Sequence, residues 1–256
     1  DAPGDGPQFA RGVCLATDVE GYTTLAEGMD GDALHALMRD YFGRLFVPVR
    51  DHGGMVADIK GDAMMAIWTA AAGDDDPCLR AALAVTAMAA ALDAFHRHGT
   101  ARLATRFGMD YGDIVLGSVG AGHHYEYRPV GDTVNTASRI EGANKYLGTR
   151  ILASEAFLPA LAGRVPCRRL GRFLLKGKTR PIGLIELLPR LPRPEAFEEA
   201  LGWLEAGRPD AARDGFRRLA QHHGDGPSAY YAHHLDALAA RSMLDRWDGI
   251  VRLEGK

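Results

Sequence analysis

The chain of 256 residues is 46% hydrophobic and 25% charged, which is typical of a globular protein and fits one large domain with a small addition. Its net charge of −3 argues against a nucleic-acid-binding surface, because such surfaces usually carry a basic excess. The three cysteines are widely spaced, odd in number and form no C-x-x-C pair. We therefore expect reduced, mostly buried thiols and a cytoplasmic location, either as a free protein or as the cytoplasmic domain of a membrane-anchored one.

The ends of the sequence indicate a piece of a longer protein. The first ten residues are rich in Gly and Pro and are predicted to be a linker, and the chain begins at Asp1 rather than Met. We find no signal peptide and no apolar run that looks long enough to cross a bilayer. We therefore expect no membrane segment in this chain.

The predicted elements mix strands and helices. In chain order they are a strand at 13–17, an amphipathic helix at 34–49, strands at 55–59 and 63–68 joined by a tight turn, an Ala-rich helix at 78–96, a hairpin of 102–110 and 114–119 turning at Tyr111-Gly112-Asp113, a loop at 121–128, a helix from about 133 to 147, and short strands at 151–153 and 182–188. This order predicts an α+β sandwich, for which the ferredoxin-like βαββαβ unit is the nearest simple template.

The sequence changes character near Pro189. We predict a main domain at 11–190 and a helical C-terminal extension at 191–256, with a helical hairpin that turns at Gly207-Arg208-Pro209. The spacing around Trp203 and Phe216 resembles a single tetratricopeptide unit. One such unit cannot bury its own core, so packing of these helices on the main domain is favoured.

Two aspartates occupy positions that suit a metal site. Asp18 directly follows a predicted strand, and Asp62 lies in the tight turn between two others. Adjacent strand ends could bring both carboxylates to one edge of the sheet, where they would suit Mg²⁺ or Mn²⁺. The alternative is that both are ordinary turn residues, since Asp is common in turns.

Two further clusters suit a phosphate-bearing ligand. Asn135 and Arg139 are four residues apart on a predicted helix and so share a face, where an amide and a guanidinium together can hold a ribose and a phosphate. Lys176 precedes a glycine, which permits close approach to phosphate oxygens. The alternatives are a solvated helix face and a basic surface turn. The sequence contains no Walker A or dinucleotide-binding pattern.

In their order and separation, these clusters resemble the motifs of the bacterial class III adenylate and guanylate cyclase catalytic domain. The matching stretches are Ala16-Thr17-Asp18-Val19-Glu20-Gly21-Tyr22-Thr23 and Asp58-Ile59-Lys60-Gly61-Asp62-Ala63-Met64-Met65-Ala66 for the metal motifs, 130–141 for the helix that stabilises the transition state, and Leu175-Lys176-Gly177-Lys178 for the phosphate-binding lysine. The resemblance implies the class III cyclase fold over the main domain.

The resemblance also implies a reaction, the closure of a nucleoside triphosphate to its 3′,5′-cyclic monophosphate with release of pyrophosphate. Two Mg²⁺ or Mn²⁺ ions would be held by Asp18, Asp62 and the carbonyl of Val19.

The remaining site residues follow from the same resemblance. Asn135 would position the ribose, Arg139 would stabilise charge on the phosphoryl oxygens, and Lys176 would hold the pyrophosphate side. The family further implies a homodimer with shared sites, in which one subunit supplies the aspartates and the other supplies Asn135 and Arg139. A fused sensor or membrane domain upstream is also expected.

The residues that would read the base depart from the usual pair. The adenylate branch typically has Lys at the position of Asp58 and Asp or Thr at that of Arg128. Asp58 and Arg128 could satisfy the hydrogen-bonding groups of either adenine or guanine, or could simply pair with each other. We favour ATP because adenylate cyclases are the commoner bacterial members. A guanylate cyclase and a non-catalytic nucleotide-binding module are the alternatives.

Overall fold

The computed structural model describes residues 8–70, 76–98, 103–121, 124–187 and 194–253. Within these ranges one sheet contains nine strands: β1 Gln8–Val19, β2 Met55–Lys60, β3 Ala63–Thr69, β4 Thr105–Ala121, β5 His124–Val130, β6 Ile151–Ser154, β7 Cys167–Leu174, β8 Ile182–Leu187 and β9 Ile250–Arg252. The same ranges contain eight α-helices: α1 Tyr22–Glu27, α2 Gly31–Asp51, α3 Pro77–His98, α4 Asp132–Leu147, α5 Leu158–Leu161, α6 Pro194–Glu205, α7 Pro209–His223 and α8 Gly226–Ala240.

The strand order is β2-β3-β1-β4-β6-β8-β7-β9, and β5 pairs with β4. Strand β1 is central, antiparallel to both β3 and β4. Helix α2 connects β1 to β2 and α3 connects β3 to β4, so the first part of the chain builds a βαββαβ unit. The predicted α+β class and ferredoxin-like arrangement are confirmed.

Helices cover both faces of the sheet. Along β3 the side chains alternate: Met64 and Trp68 join the core beneath α2 and α3, whereas Ile67 packs with Ala137 of α4 on the opposite face. This period of two is that of a strand buried on both sides. Because β1 alternates in the same way, Cys14, Ala16 and Asp18 lie on the face that α4 covers.

Helix α3 is long and apolar enough, by length and composition, to cross a membrane over Pro77–Arg97, contrary to our expectation from the sequence. Half of this stretch is buried inside the protein. Its buried residues pack on the sheet in the same cluster as α2. That packing is the arrangement of a core helix and explains why the segment is so apolar.

The prediction of a hairpin at Tyr111-Gly112-Asp113 was wrong, because β4 runs without a turn through these residues and pairs with β1 on both sides of them. Gly112 is needed for close packing instead. A Cβ at this position would lie 2.6 Å from Oγ1 of Thr133, in the first turn of α4. A glycine that admits a neighbouring helix has the same sequence signature as a glycine in a turn.

Two strands of the main domain were missed, and β9 of the extension was missed as well. The predicted loop at 121–128 largely belongs to β5, which pairs with β4. Strand β7 was not predicted, and Gly171 interrupts its pattern at a register shift, with a φ of 100°. Such a bulge breaks the alternation by which strands are recognised.

The segments assigned to the linker and the extension also contribute to the sheet. Strand β1 begins at Gln8, inside the predicted linker, while residues 1–7 lie outside the described residues. Beyond the main domain, α6, α7 and α8 pack over β7 and β8 in one hydrophobic cluster with α4, and β9 pairs with β7. The extension thus packs on the main domain, although the boundaries at 10 and 190 stay predictions.

A buried ion network joins the extension to the sheet. The guanidinium of Arg168 on β7 donates to Glu186 of β8 at 2.6 Å and to Asp225, which caps α8, at 2.6 Å. All three side chains are at most 4% exposed. Buried charges of this kind must be paired, because each would otherwise lose its hydration without compensation.

Replacement of Arg168 by Met should therefore lower the free energy of unfolding by about 3–5 kcal/mol, because two buried carboxylates lose their counter-charge. Urea unfolding followed by circular dichroism measures the effect. The control is Arg172→Met, at an exposed position of the same strand, which should cost under about 0.5 kcal/mol. Equal unfolding midpoints for the two variants would contradict a structural role for the network.

Candidate active site

A hydrogen bond holds the turn that contains Asp62 against the end of β1, where Asp18 lies. Strand β1 delivers Asp18 and Val19 at its end, and Asp62 follows Gly61 in the two-residue turn between β2 and β3. Gly61 has a φ of 62°, a left-handed conformation that glycine adopts without strain. The amide of Val19 donates to Oδ2 of Asp62 at 3.0 Å. The turn is thereby fixed against the end of β1.

A second bond holds the same two segments. The amide of Met64, at the start of β3, donates to Oγ1 of the buried Thr17 at 3.0 Å. With the Val19–Asp62 bond it fixes the register between the hairpin and β1. The resemblance implies that both aspartates bind metal ions. The structure places Asp18 at the end of β1 and Asp62 just before the adjacent strand β3.

The surroundings of Asp18 are strongly acidic. Burial raises the pKa of Asp18, and the nearby Asp62 raises it further, whereas the guanidinium of Arg106 opposes both effects. Arg106 is the cross-strand partner of Asp18 on β4 and forms an ion pair with Glu20 at 3.1 Å. A cation bound here would relieve the repulsion between the carboxylates.

Helix α4 lies unusually close to the sheet. A Cβ at Gly108 on β4 would be 2.1 Å from the amide nitrogen of Glu141 and 2.5 Å from the carbonyl oxygen of Ala137. Only a residue without a side chain admits the helix at this distance. The close approach determines how α4 presents Arg139, which is partly buried, and Asn135, which is exposed.

Lys176 stands at the tip of a tight turn. The amide of Lys178 donates to the carbonyl of Leu175 at 2.9 Å, and Gly177 has a φ of 70°, as turns with a left-handed third residue require. The turn rests on α4: Lys178 forms an ion pair with Asp132 and donates to Oγ1 of Thr136 at 3.0 Å. Lys178, which we did not single out from sequence, therefore holds the turn on the helix.

The turn also contacts Arg139 directly. A Cβ at Gly177 would lie 2.9 Å from Nη1 of Arg139. The guanidinium is thus stacked against the backbone of the turn beside Lys176. Two cationic groups from distant parts of the sequence meet at this point.

A groove of 430 Å³ collects most of these groups. Its walls include Asp18, Arg139 and Lys176, which were predicted to act together. Asp62, Asn135 and Asp58 are not among the residues that line it. Asn135 in particular is exposed near the start of α4 and does not line the groove.

The groove contains two groups that sequence reasoning missed, Arg106 and Glu141. Burial raises the pKa of Glu141 to about 7, with a further contribution from Asp18 and an opposing one from Arg106. Its Oε1 is buried, and no described residue forms a hydrogen bond with it. Glu141 lies two residues after Arg139 inside the resembling stretch, whereas no sequence pattern marks Arg106.

The two candidate base-reading residues lie on β2 and β5, two strands that contact each other without pairing. Asp58 is opposite Met65 across β2 and β3, and therefore on the same face of the sheet as Asp18. Strand β5 contains Arg128, whose backbone pairs with Gly117 and whose side chain lies outside the described part of the protein. Strand β5 also contacts β2.

The donor set fits a divalent cation of the Mg²⁺ type. No group of three or more His, Cys, Asp or Glu side chains within the described ranges could hold a metal ion. Mg²⁺ does not need one, since it is commonly bound by one or two carboxylates together with water and substrate phosphates. Asp18, Asp62 and the orphaned oxygen of Glu141 create the negative field that such an ion would neutralise.

The groove in which Asp18 lies near the cationic groups of α4 and the Lys176 turn has the donors and acceptors that a metal–phosphate ligand requires. Residues 10–185 match the model of the adenylate and guanylate cyclase catalytic domain. The chain therefore belongs to this family.

Among curated proteins, the chain is 36% identical over 180 residues to adenylate cyclase 1 of Rhizobium meliloti, covering 69% of this chain and 27% of that protein. It is 32% identical over 160 residues to an adenylate cyclase of Anabaena cylindrica, covering 59% of this chain and 31% of that protein. The chain thus spans about a third or less of the length of these relatives.

Solved structures confirm the fold. The adenylyl cyclase CyaB from P. aeruginosa matches with a TM-score of 0.63 at 22% identity, covering 74% of this chain and 98% of that one. The guanylyl cyclase Cya2 matches with a TM-score of 0.63 at 25% identity, covering 74% and 96%. These two structures are an adenylyl cyclase and a guanylyl cyclase, so the shared fold does not distinguish between adenine and guanine as the base.

Replacing Gly108 with Ala should push α4 away from β4 and lower the free energy of unfolding by about 1–3 kcal/mol, because the new methyl group collides with backbone atoms. The matched control is Gly202→Ala in α6, where nothing lies within 4 Å of the added Cβ. This control should be neutral or stabilise the protein by up to about 1 kcal/mol. Thermal unfolding of both variants measures the difference, and equal melting temperatures would contradict the close packing.

Proposed function

We propose that the protein is a nucleotide cyclase that converts ATP to 3′,5′-cyclic AMP and pyrophosphate. The observation that carries this proposal is that one chain contains both halves of such a site, the acidic end of β1 and the cationic pair of Arg139 and Lys176 on α4 and the adjoining turn. Family membership and the similarity to bacterial adenylate cyclases support it. We expect the reaction to take place in the cytoplasm.

In the proposed reaction the 3′-oxygen of the ribose bonds to the α-phosphorus, and the bond from that phosphorus to the bridging oxygen of pyrophosphate breaks. The 3′-hydroxyl proton passes to water. Asp18, Asp62 and the carbonyl of Val19 would hold two Mg²⁺ or Mn²⁺ ions. Such ions lower the pKa of a bound hydroxyl and neutralise phosphate charge.

The cationic groups act on the phosphates. Arg139 donates to the phosphoryl oxygens as negative charge shifts during the displacement, and Lys176 binds the departing pyrophosphate. Arg139 and Lys176 can act together on the phosphates. The stacking of Arg139 on Gly177 holds these two cations beside each other before substrate arrives. Asn135 positions the ribose.

ATP is proposed as the substrate, with Asp58 and Arg128 reading the base. A carboxylate can accept from the 6-amino group of adenine, and a guanidinium can donate to N1. The curated adenylate cyclases support ATP, whereas the match to Cya2 keeps GTP as the second candidate. Asp58 on the Asp18 face of the sheet is compatible with a base-reading role.

We further propose a homodimer with shared sites. Within one chain Asn135 is exposed and lies outside the groove that contains Asp18. The resemblance assigns Asn135 and the aspartates of one site to different subunits, and its exposed position is compatible with contact to a nucleotide held by a second subunit. The partner is therefore a second copy of this chain, and each dimer would contain two sites.

The first experiment offers ATP, GTP, CTP and UTP separately to the purified protein with Mn²⁺ and identifies the products by mass. We expect cyclic AMP from ATP as the main product. In Asp62→Asn the amide oxygen still accepts from Val19, but the charge is lost, so kcat should fall about 10²-fold or more with the fold retained.

The matched control is Asp113→Asn, because that side chain is 91% exposed on β4 and remote from the groove. It should leave kcat unchanged. Full activity in Asp62→Asn would exclude the proposed metal role. Nucleotide binding without any cyclic product in the wild type would favour the non-catalytic module, and cyclic GMP as the main product would reverse the base assignment.

The dimer is tested by mixing two inactive variants, Asp62→Asn and Asn135→Ala. If each site takes Asp62 from one chain and Asn135 from the other, half of the randomly paired dimers have one intact site. The mixture should then recover about a quarter of wild-type activity. Activity no greater than the sum of the two variants alone would show that each chain builds its own site.

A further inference from the structure

The last of the described strands, β9, supports the turn that presents Lys176. Strand β9 lies beyond the family match, which ends at residue 185, yet it pairs in parallel with β7 over Arg172 to Leu174. The amide of Leu253 then donates to the carbonyl of Leu174 at 3.1 Å. The pairing ends directly where the Lys176 turn begins.

Leu253 also reaches the groove. Its side chain is 6% exposed and lines the same cavity as Asp18, Leu175 and Lys176. It packs in one cluster with the buried Leu175. A residue from outside the family's domain therefore forms part of the wall against which a nucleotide would bind.

The extension contacts the other cationic element as well. The start of α8 packs on the end of α4, where a Cβ at Gly226 would lie 2.5 Å from the carbonyl oxygen of Leu147. Helix α4 carries Arg139. The extension thus touches both elements that bring positive charge to the groove.

Polar contacts hold these pieces in place. Tyr231 of α8 is fully buried and donates to the carbonyl of Leu170 on β7 at 2.6 Å. The buried pair of Arg168 and Asp225 links the same two elements. These contacts bind the extension to β7 before Gly171, and the pairing of β9 binds it after Gly171.

We infer that the C-terminal segment is a built-in part of the catalytic unit, in which Leu253 acts as a positioning residue for the phosphate-binding turn of Leu175 to Lys178. The inference rests on the proposed function and assigns to that site a residue beyond the family's domain. Lys176 itself is exposed, so its backbone must be fixed if its ammonium group is to meet pyrophosphate with little loss of entropy. Leu253 supplies that restraint.

The test compares Leu253→Ala with Leu253→Met in the full chain. Shortening the side chain should raise KM for the nucleotide and the inhibition constant of pyrophosphate about tenfold, because the turn loses its support. The change in kcat should be smaller, about two- to threefold. Met, which has a similar volume, should restore both constants.

The matched control is Leu219→Ala. Leu219 lies in α7 of the same extension and is 7% exposed, against 6% for Leu253, but it does not line the groove. Both alanine variants should lose comparable stability in thermal unfolding. Only Leu253→Ala should weaken the binding of pyrophosphate. Equal inhibition constants of pyrophosphate in the two alanine variants would overturn the inference.

Pyrophosphate binding measured by calorimetry separates this inference from the proposed function. If the wild type makes no cyclic nucleotide, the proposed function fails, and weaker binding in Leu253→Ala alone would still support the positioning role. If the wild type is an active cyclase and Leu253→Ala binds pyrophosphate as the wild type does, only the inference fails.

Discussion

The contact between α4 and β4 is the constraint on which the rest of the site depends. Gly108 lets the helix backbone reach the sheet, and Gly112 admits its first turn. The two glycines fix the height and direction of a helix that carries Arg139 and supports the Lys176 turn through Asp132 and Thr136. The positions of the cationic groups therefore depend on two glycines of β4, which have no side chains to hold the helix away.

The groove combines charges that would be unfavourable in isolation. Burial raises the pKa of both Asp18 and Glu141, and repulsion raises it further, by Asp62 for Asp18 and by Asp18 for Glu141. Arg106 compensates part of this charge from the neighbouring strand. Such an arrangement favours a ligand that is itself mixed in charge, because a metal–phosphate complex can neutralise the acidic strand ends and the basic turn together.

The sequence predicted the βαββαβ core because α2 is amphipathic, α3 is rich in Ala, and the strands at 13–17, 55–59 and 63–68 are apolar runs. The prediction failed at two glycines. Gly112 was interpreted as a turn residue but allows close packing, and the bulge at Gly171 breaks the alternation by which β7 would have been recognised. Asp18, Arg139 and Lys176 could be chosen through the resemblance. Arg106, Lys178 and Leu253 could not, because they reach the site only through strand pairing and tertiary contact.

Strand β9 has a consequence for solubility as well as for the site. Without it, the outer side of β7 would present unpaired backbone groups. Open edges of this kind recruit strands from other molecules. A short strand of three residues, held by three helices, covers that edge. The exposed edge at the end of β7 is thus shortened by a strand from outside the matched range of the family, which leaves fewer backbone groups able to pair with another molecule.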